Sequence, residues 1–410
     1  MTHTCFPKPR TAGRFTGRLI ALALLTGMGI AGYADGPSQL TAGDLTQDGL
    51  SELVVMDGKG LGLVLLNQGN GQLIPAKKIY SQGTSTGPLT IADLTGDGRK
   101  DLVLLYPAEA GIEAVPGPNL DQNASLLLTG LGVDAQALAA RTSPPSLAAV
   151  GLAGLPKIVV IQPDAMGTSL SVTGENPADA SVRGLVWADI DGDQAEELIA
   201  LLRGNGTVVN AYKGLPAQWN PIPLAALTDT QAEEIQAGKI NADGFTDFLL
   251  WSPAADAVAL LGGAGGTFQA QTIPLAESFK KKTMDINQDG LLDVAVLSPA
   301  QDTLALYVNQ GNLVFQAVPV TGLTGQIQDM AFGNFVSPAS LDLVVWTAQG
   351  EPATHLLSLY QFAGGAFTKI GETEIPDPGA DNSIYQNVLI YKKSDITAGK
   401  FFPYRSFFVN

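Results

Sequence analysis

The sequence predicts an all-β chain folded as a seven-bladed β-propeller, and three observations carry that prediction. An acidic loop followed by a short apolar run recurs along the chain. The copies lie about 40–56 residues apart, the length of one blade of several short strands. No stretch carries a convincing amphipathic-helix pattern. A repeat of this kind overrides the two or three domains that 410 residues would otherwise suggest, because each unit buries its apolar face only against its neighbours.

The loops come first in the argument. The clearest copies read Asp44-Leu-Thr-Gln-Asp48-Gly-Leu-Ser-Glu52 and Asp93-Leu-Thr-Gly-Asp97-Gly-Arg-Lys-Asp101. Later come Asp189-Ile-Asp191-Gly-Asp193-Gln-Ala-Glu-Glu197 and Asp285-Ile-Asn287-Gln-Asp289-Gly-Leu-Leu-Asp293. Side-chain oxygens at loop positions one, three, five and nine, with a backbone carbonyl at seven, suit a hard cation. Calcium takes six to eight oxygen ligands in flexible geometry. The spacing is not that of an EF-hand, whose last acid stands at position twelve between helices.

The expected calcium ligands in the four best loops follow directly. They are Asp44, Thr46, Asp48, Leu50 and Glu52; Asp93, Thr95, Asp97, Arg99 and Asp101; Asp189, Asp191, Asp193, Ala195 and Glu197; and Asp285, Asn287, Asp289, Leu291 and Asp293. A weaker set is Asn241, Asp243 and Asp247, because Lys239 stands at position one and its ammonium can supply the charge. The seventh unit keeps Asn334 and Asp342, and the third, ending at Lys157, keeps no ligand; both are expected to lack metal. Asp/Gly turns are common between strands, but ordinary turns do not hold a constant span. Structural calcium, in about four sites, is therefore the expected cofactor, without a catalytic part.

Strands follow each loop. Leu53-Val-Val, Leu102-Val-Leu-Leu, Ile158-Val-Val-Ile, Phe248-Leu-Leu-Trp and Leu343-Val-Val-Trp are short β-rich runs suited to burial on both faces. A second run follows, as in Ala257-Val-Ala-Leu-Leu, and then a Gly/Asn turn such as Asn67-Gln-Gly-Asn-Gly or Asn309-Gln-Gly-Asn. A last strand closes each unit. The propeller is expected over residues 35–375, with blades near 40–88, 89–144, 145–182, 183–232, 233–278, 279–325 and 326–375.

These loops resemble FG-GAP (VCBS) repeats, the units of integrin-α-type β-propellers. Phe332-Gly333-Asn334-Phe335 carries the Phe-Gly opening, and the resemblance covers about residues 40–375. It implies loops that join the first and second strands of each blade, and binding of proteins or glycans.

Residues 1–34 read as a signal peptide: Lys8, Arg10, Arg14 and Arg18, then Leu19-Ile-Ala-Leu-Ala-Leu-Leu, then Gly32-Tyr33-Ala34. Export to the periplasm or beyond the cell is expected, with no membrane span after cleavage. Cys5 is the sole cysteine, so disulfides and thiolate chemistry are excluded from the mature chain. The formal net charge is −16, and the leader contributes bases without acids. That balance excludes nucleic acid as a partner and favours divalent cations.

Other residues give no enzyme. Trp251, Trp346 and Trp187 fall in register with core positions, whereas Trp219 is the better surface candidate for sugar stacking. His355 is the one histidine after the leader and lacks a nucleophile partner. The aromatic-rich segment 376–410 does not fit the repeat; it reads as strands packed on the propeller or as a docking tail. The expectation is a monomeric binding or adhesion module for a cell-surface protein or glycan. The alternatives are a lyase-like polysaccharide-active enzyme and a lectin proper.

Overall fold

The computed structural model describes residues 39–376, apart from residues 58–59, 70, 81–86, 121, 142–143, 217–218, 229, 253–255, 276–277, 279, 299 and 351–352. The expected leader with Cys5, and residues 377–410 of the expected tail, lie outside the described residues.

Among the described residues, 28 strands form seven antiparallel four-stranded sheets, each taken in chain order from one continuous segment. Blades 1 to 7 span 39–80, 89–128, 135–177, 181–227, 234–273, 280–319 and 326–375. First strands face one another around the centre. The first strand of blade 7 (Gln326–Gly333) packs on that of blade 1 (Gln39–Gly43), and Ala135–Ala140 packs on Ser181–Ala188.

Second strands sit inside each sheet with both faces covered, so they read as continuous apolar runs rather than alternating ones. Glu52–Met56, Asp101–Tyr106, Asp247–Trp251 and Asp293–Leu297 are buried along their whole length. Outer strands meet water. Thr267–Ile273 is exposed at most positions and carries threonine and glutamine.

The core is divided among the blade interfaces. Seven buried apolar clusters occur among the described residues, each between two consecutive blades. Leu53, Val55 and Leu65 of blade 1 meet Val344, Trp346 and Leu359 of blade 7, which closes the ring. Each such Leu or Val contributes about 1.5–3 kcal/mol by leaving water. Among the described residues no strand is exchanged between blades 1 and 7, and their contact there rests on side chains and on a few polar contacts.

The end of each first strand must be slim where the next blade leans on it. A Cβ on Gly333 would lie 2.8 Å from the Ser51 hydroxyl oxygen, and one on Gly238 would lie 2.5 Å from Leu292. The Phe-Gly opening thus serves inter-blade packing.

One expected boundary moves. Blade 3 begins with Ala135–Ala140 rather than near residue 145. That strand alternates buried Ala with half-buried Gln136 and Leu138, a weak period-two pattern built from small residues. Its blade also lacks the acidic marker: residues 153–156 form a four-residue turn between Leu152 and Lys157.

Candidate metal loops

Six of the seven loops join the first and second strands and end on a buried acid at position nine; four of them, in blades 1, 2, 4 and 6, carry the full acidic pattern and share the same internal hydrogen bonds. The position-one carboxylate gathers backbone N–H groups from its own loop. Asp44 accepts from Asp48 and Gly49, Asp93 from Gly96 and Gly98, Asp285 from Asp289 and Gly290, and Asp189 from Gly192 and Gln194. The position-five carboxylate closes a short turn by accepting from position seven. Asp48, Asp97, Asp193, Asp243 and Asp289 accept from Leu50, Arg99, Ala195, Phe245 and Leu291 at 2.8–2.9 Å.

Position six must adopt a left-handed backbone. Gly49, Gly98, Gly244 and Gly290 have φ of 81–93°, where glycine carries no Cβ penalty. In blade 4 Gln194 takes that place at φ 68°.

Position nine behaves differently from the other ligands. Glu52, Asp101, Asp247, Asp293 and Asp342 are fully buried, and Glu197 nearly so. One oxygen of each accepts the N–H of loop position two, from Leu45, Leu94, Ile190, Ile240, Ile286 or Phe335. In blades 2, 5 and 6 the other oxygen accepts from the third strand or just beyond it, through Gly117, Gly262 and Asn309. The ninth-position acid is therefore a peg at the base of the loop. It is present in Asp247 and Asp342 even where other ligands are missing.

Burial raises Glu52, Asp101, Glu197, Asp247 and Asp293 because the charged form loses water. Burial pushes Glu52 up to about 7, with Asp48 and Asp44 adding repulsion and the Leu45 and Thr46 N–H groups opposing. Asp101 and Asp293 rise to about 6 by burial, against the same kind of N–H donation. Glu197 and Asp247 also rise, by burial first.

The loops fit a cation unequally. In blade 1 the second Glu52 oxygen and the Thr46 hydroxyl are buried without a hydrogen-bond partner, and the charges of Asp44 and Asp48 bear on Glu52. Unpaired buried oxygens among three carboxylates suit a divalent ion. Blades 2 and 6 keep the position-one and position-five carboxylates, but both oxygens of Asp101 and Asp293 already accept backbone N–H groups. In blade 6 the Asn287 amide donates to Asp289 at 2.9 Å. In blade 4, oxygens of Asp189, Asp191 and Glu197 lie within 4.8 Å of one another, but Lys213 already meets two of the loop's carboxylates. Blade 7 is closed from within: the Asn334 amide donates to the carbonyls of Pro338 and Ser340.

Loops also bond to their neighbours around this rim. Position eight of one loop donates to the position-one carbonyl of the preceding blade: Ser51 to Asn334, Leu292 to Lys239, and the Thr246 hydroxyl to Asp189. Asn67 and Asn309, each the last residue of a third strand, add a second clasp. Asn67 donates to the carbonyls of Ser51 and Phe335; Asn309 donates to those of Leu292 and Ile240. Both read in the sequence as turn residues. Their shared Asn-Gln-Gly-Asn context was the available signal.

The tryptophans pack within or between blades. Trp251, Trp346 and Trp187 are buried. Trp219, expected at the surface, instead packs edge-on against Tyr212 at 5.9 Å and belongs to the interface of blades 3 and 4. The Trp346 indole N–H donates to His355 at 3.1 Å.

A family profile described as "FG-GAP-like repeat" matches residues 44–104, which begin at the first acidic loop and include the second. The match and the seven sheets agree. The chain is a seven-bladed β-propeller that carries an FG-GAP-like repeat at residues 44–104. This propeller is similar to BBS1N, crystallised in complex with ARL6DN and soaked with mercury, at 13% identity and a TM-score of 0.56, covering 81% of this chain and 94% of that one. The lead-soaked crystal of the same complex gives 13% identity, the same coverage and a TM-score of 0.54. At that identity the likeness is one of fold. No curated protein matches the chain. No helix among the described residues is long and apolar enough to cross a membrane.

Proposed function

We propose that the chain is an exported binding module: a propeller with one rim held as a scaffold by calcium in blades 1, 2 and 6, and with a protein as its partner. The observation that carries this reading is the fate of the ninth-position carboxylates. In blades 2, 5 and 6 both oxygens of Asp101, Asp247 and Asp293 are taken by backbone N–H groups, so these acids hold strands rather than face a substrate. Asp44, Thr46, Asp48 and Glu52 would hold the ion in blade 1, Asp93 and Asp97 in blade 2, and Asp285, Asn287 and Asp289 in blade 6, with Asp101 and Asp293 fixing the base of the last two loops. Bound there, calcium offsets the repulsion of crowded carboxylates and stabilises the folded state by linkage. Export rests on the charged and apolar pattern of residues 1–34. The protein partner is favoured by likeness to a propeller that was crystallised with one.

The test is capture of cell-surface proteins on the immobilised chain, run beside a glycan array and a polysaccharide panel. Saturable protein capture, lost on chelation, is expected. Sugar binding without protein capture, or calcium-dependent release of new reducing or unsaturated ends, would replace this reading with a lectin or an enzyme.

A further inference from the structure

Blade 4 carries the loop richest in carboxylates, and it alone brings a side-chain cation onto them among the described residues. Its third strand, Thr207–Tyr212, leads straight into Lys213. The corresponding strands of blades 1, 5 and 6 end on Asn67, Gly263 and Asn309, which place no charge over their loops. The Lys213 ammonium lies 2.5 Å from Asp191, 2.6 Å from Asp193 and 3.7 Å from Glu197. Those are loop positions three, five and nine.

We propose that the Lys213 ammonium is the resident cation of the fourth loop, so that blade 4 keeps its rim conformation without a divalent ion. An ammonium carries three donors and a full charge, which suits two carboxylates that both point oxygens at it. A divalent ion bound to the same oxygens would sit against the ammonium and would have to expel it.

A second cation flanks the site. Arg141 pairs with Glu196 at 3.5 Å and lies over the Trp187 ring at 5.5 Å. Arg141, Trp187, Glu197 and Lys213 line a cavity of about 140 Å³ beside the loop. The local field is thus balanced from within the protein, in contrast to blade 1, where a buried Glu52 oxygen has no partner. The comparison with blades 1, 2 and 6 rests on the calcium reading above; the Lys213 assignment does not.

Terbium luminescence sensitised by Trp187 tests the assignment on the full chain after chelator treatment. The wild type should show no emission that depends on Asp191. Lys213→Met should gain one site, at least tenfold tighter than any wild-type binding there, and Asp191→Asn should abolish it. Lys213→Arg should exclude terbium as the wild type does, and Lys213→Gln replaces the Met variant if that variant loses its circular dichroism. Wild-type emission lost on Asp191→Asn would overturn the proposal, as would a folded Lys213→Met or Lys213→Gln protein that gains no site. Asp48→Asn, Asp97→Asn and Asp289→Asn report the other loops separately, so failure of those loops to bind leaves the Lys213 result readable.

Discussion

The carboxylate of Asp329, on the first strand of blade 7, accepts the backbone N–H of Leu40, on the first strand of blade 1, at 2.7 Å. Lys280 and Lys282 of blade 6 reach the same carboxylate at 3.0 and 3.3 Å, and the Lys282 ammonium also donates to the Leu40 carbonyl at 3.0 Å. Three blades therefore meet on one acid at the seam between the first and last blades. Asp329 stands beside a β-bulge in its strand, the kind of irregularity that re-aims a side chain.

Asp329→Asn should cost about 3 kcal/mol, because it leaves two partly buried ammonium groups without their carboxylate. Burial raises Asp329, but Lys280, Lys282 and the Leu40 and Met330 N–H groups outweigh it and hold the acid below its ordinary value. Its folded value is depressed, so its contribution is complete above the ordinary aspartate value near 4 and is lost as pH falls through the lower folded one. Urea titrations of wild type and variant at pH 7 and pH 3 check this; the gap between them should shrink at pH 3.

Glu52, Asp101, Glu197, Asp247 and Asp293, at position nine of their loops, titrate the other way. Glu52 rises from 4.5 to about 7 by burial, so the folded metal-free protein binds this proton more tightly than the unfolded chain. Metal-free stability should fall as pH rises from about 4.5 to about 7. Saturating calcium should flatten that slope and release protons on binding near pH 6, read by calorimetry in two buffers of different ionisation enthalpy. A metal-free melting temperature that does not change across this window would contradict the burial of Glu52.

Asn309→Ala removes two side-chain donors from buried carbonyls at the rim and should cost about 1–3 kcal/mol. Asn67→Ala should behave alike, since it makes the same pair of bonds to blades 1 and 7. Denaturant midpoints compared with a surface Asn→Ala control measure both.

Gln194→Gly should stabilise the protein by about 0.5–1 kcal/mol: relief of a left-handed non-glycine residue outweighs the added freedom of the unfolded chain. Its φ is 68° and its side chain is exposed, so no packing is lost. A rise in melting temperature without a change in denaturant slope is the expected signature.

The blades were legible because two signals repeat in phase: a loop of fixed span and a fully apolar run after it. What the loop means was less legible. The acid at position nine looks like a ligand in sequence, yet Asp247 and Asp342 show it pegging loops that lack the full set. Lys213 is invisible to a loop motif because it arrives from the third strand, about two dozen residues after Asp189 in the chain but adjacent in the sheet. The Trp219 environment depends in the same way on a partner in another strand, Tyr212. The start of blade 3 was hidden because Ala135–Ala140 is built from small residues that give little hydrophobic contrast.

Native mass spectrometry of the chain with saturating calcium tests the central account most directly, because it counts ions. The scaffold reading predicts three bound calcium ions, in blades 1, 2 and 6, rising to four in Lys213→Met. A wild-type count of four that drops to three on Asp191→Asn would contradict the Lys213 assignment, and a count of zero would contradict the calcium-held rim.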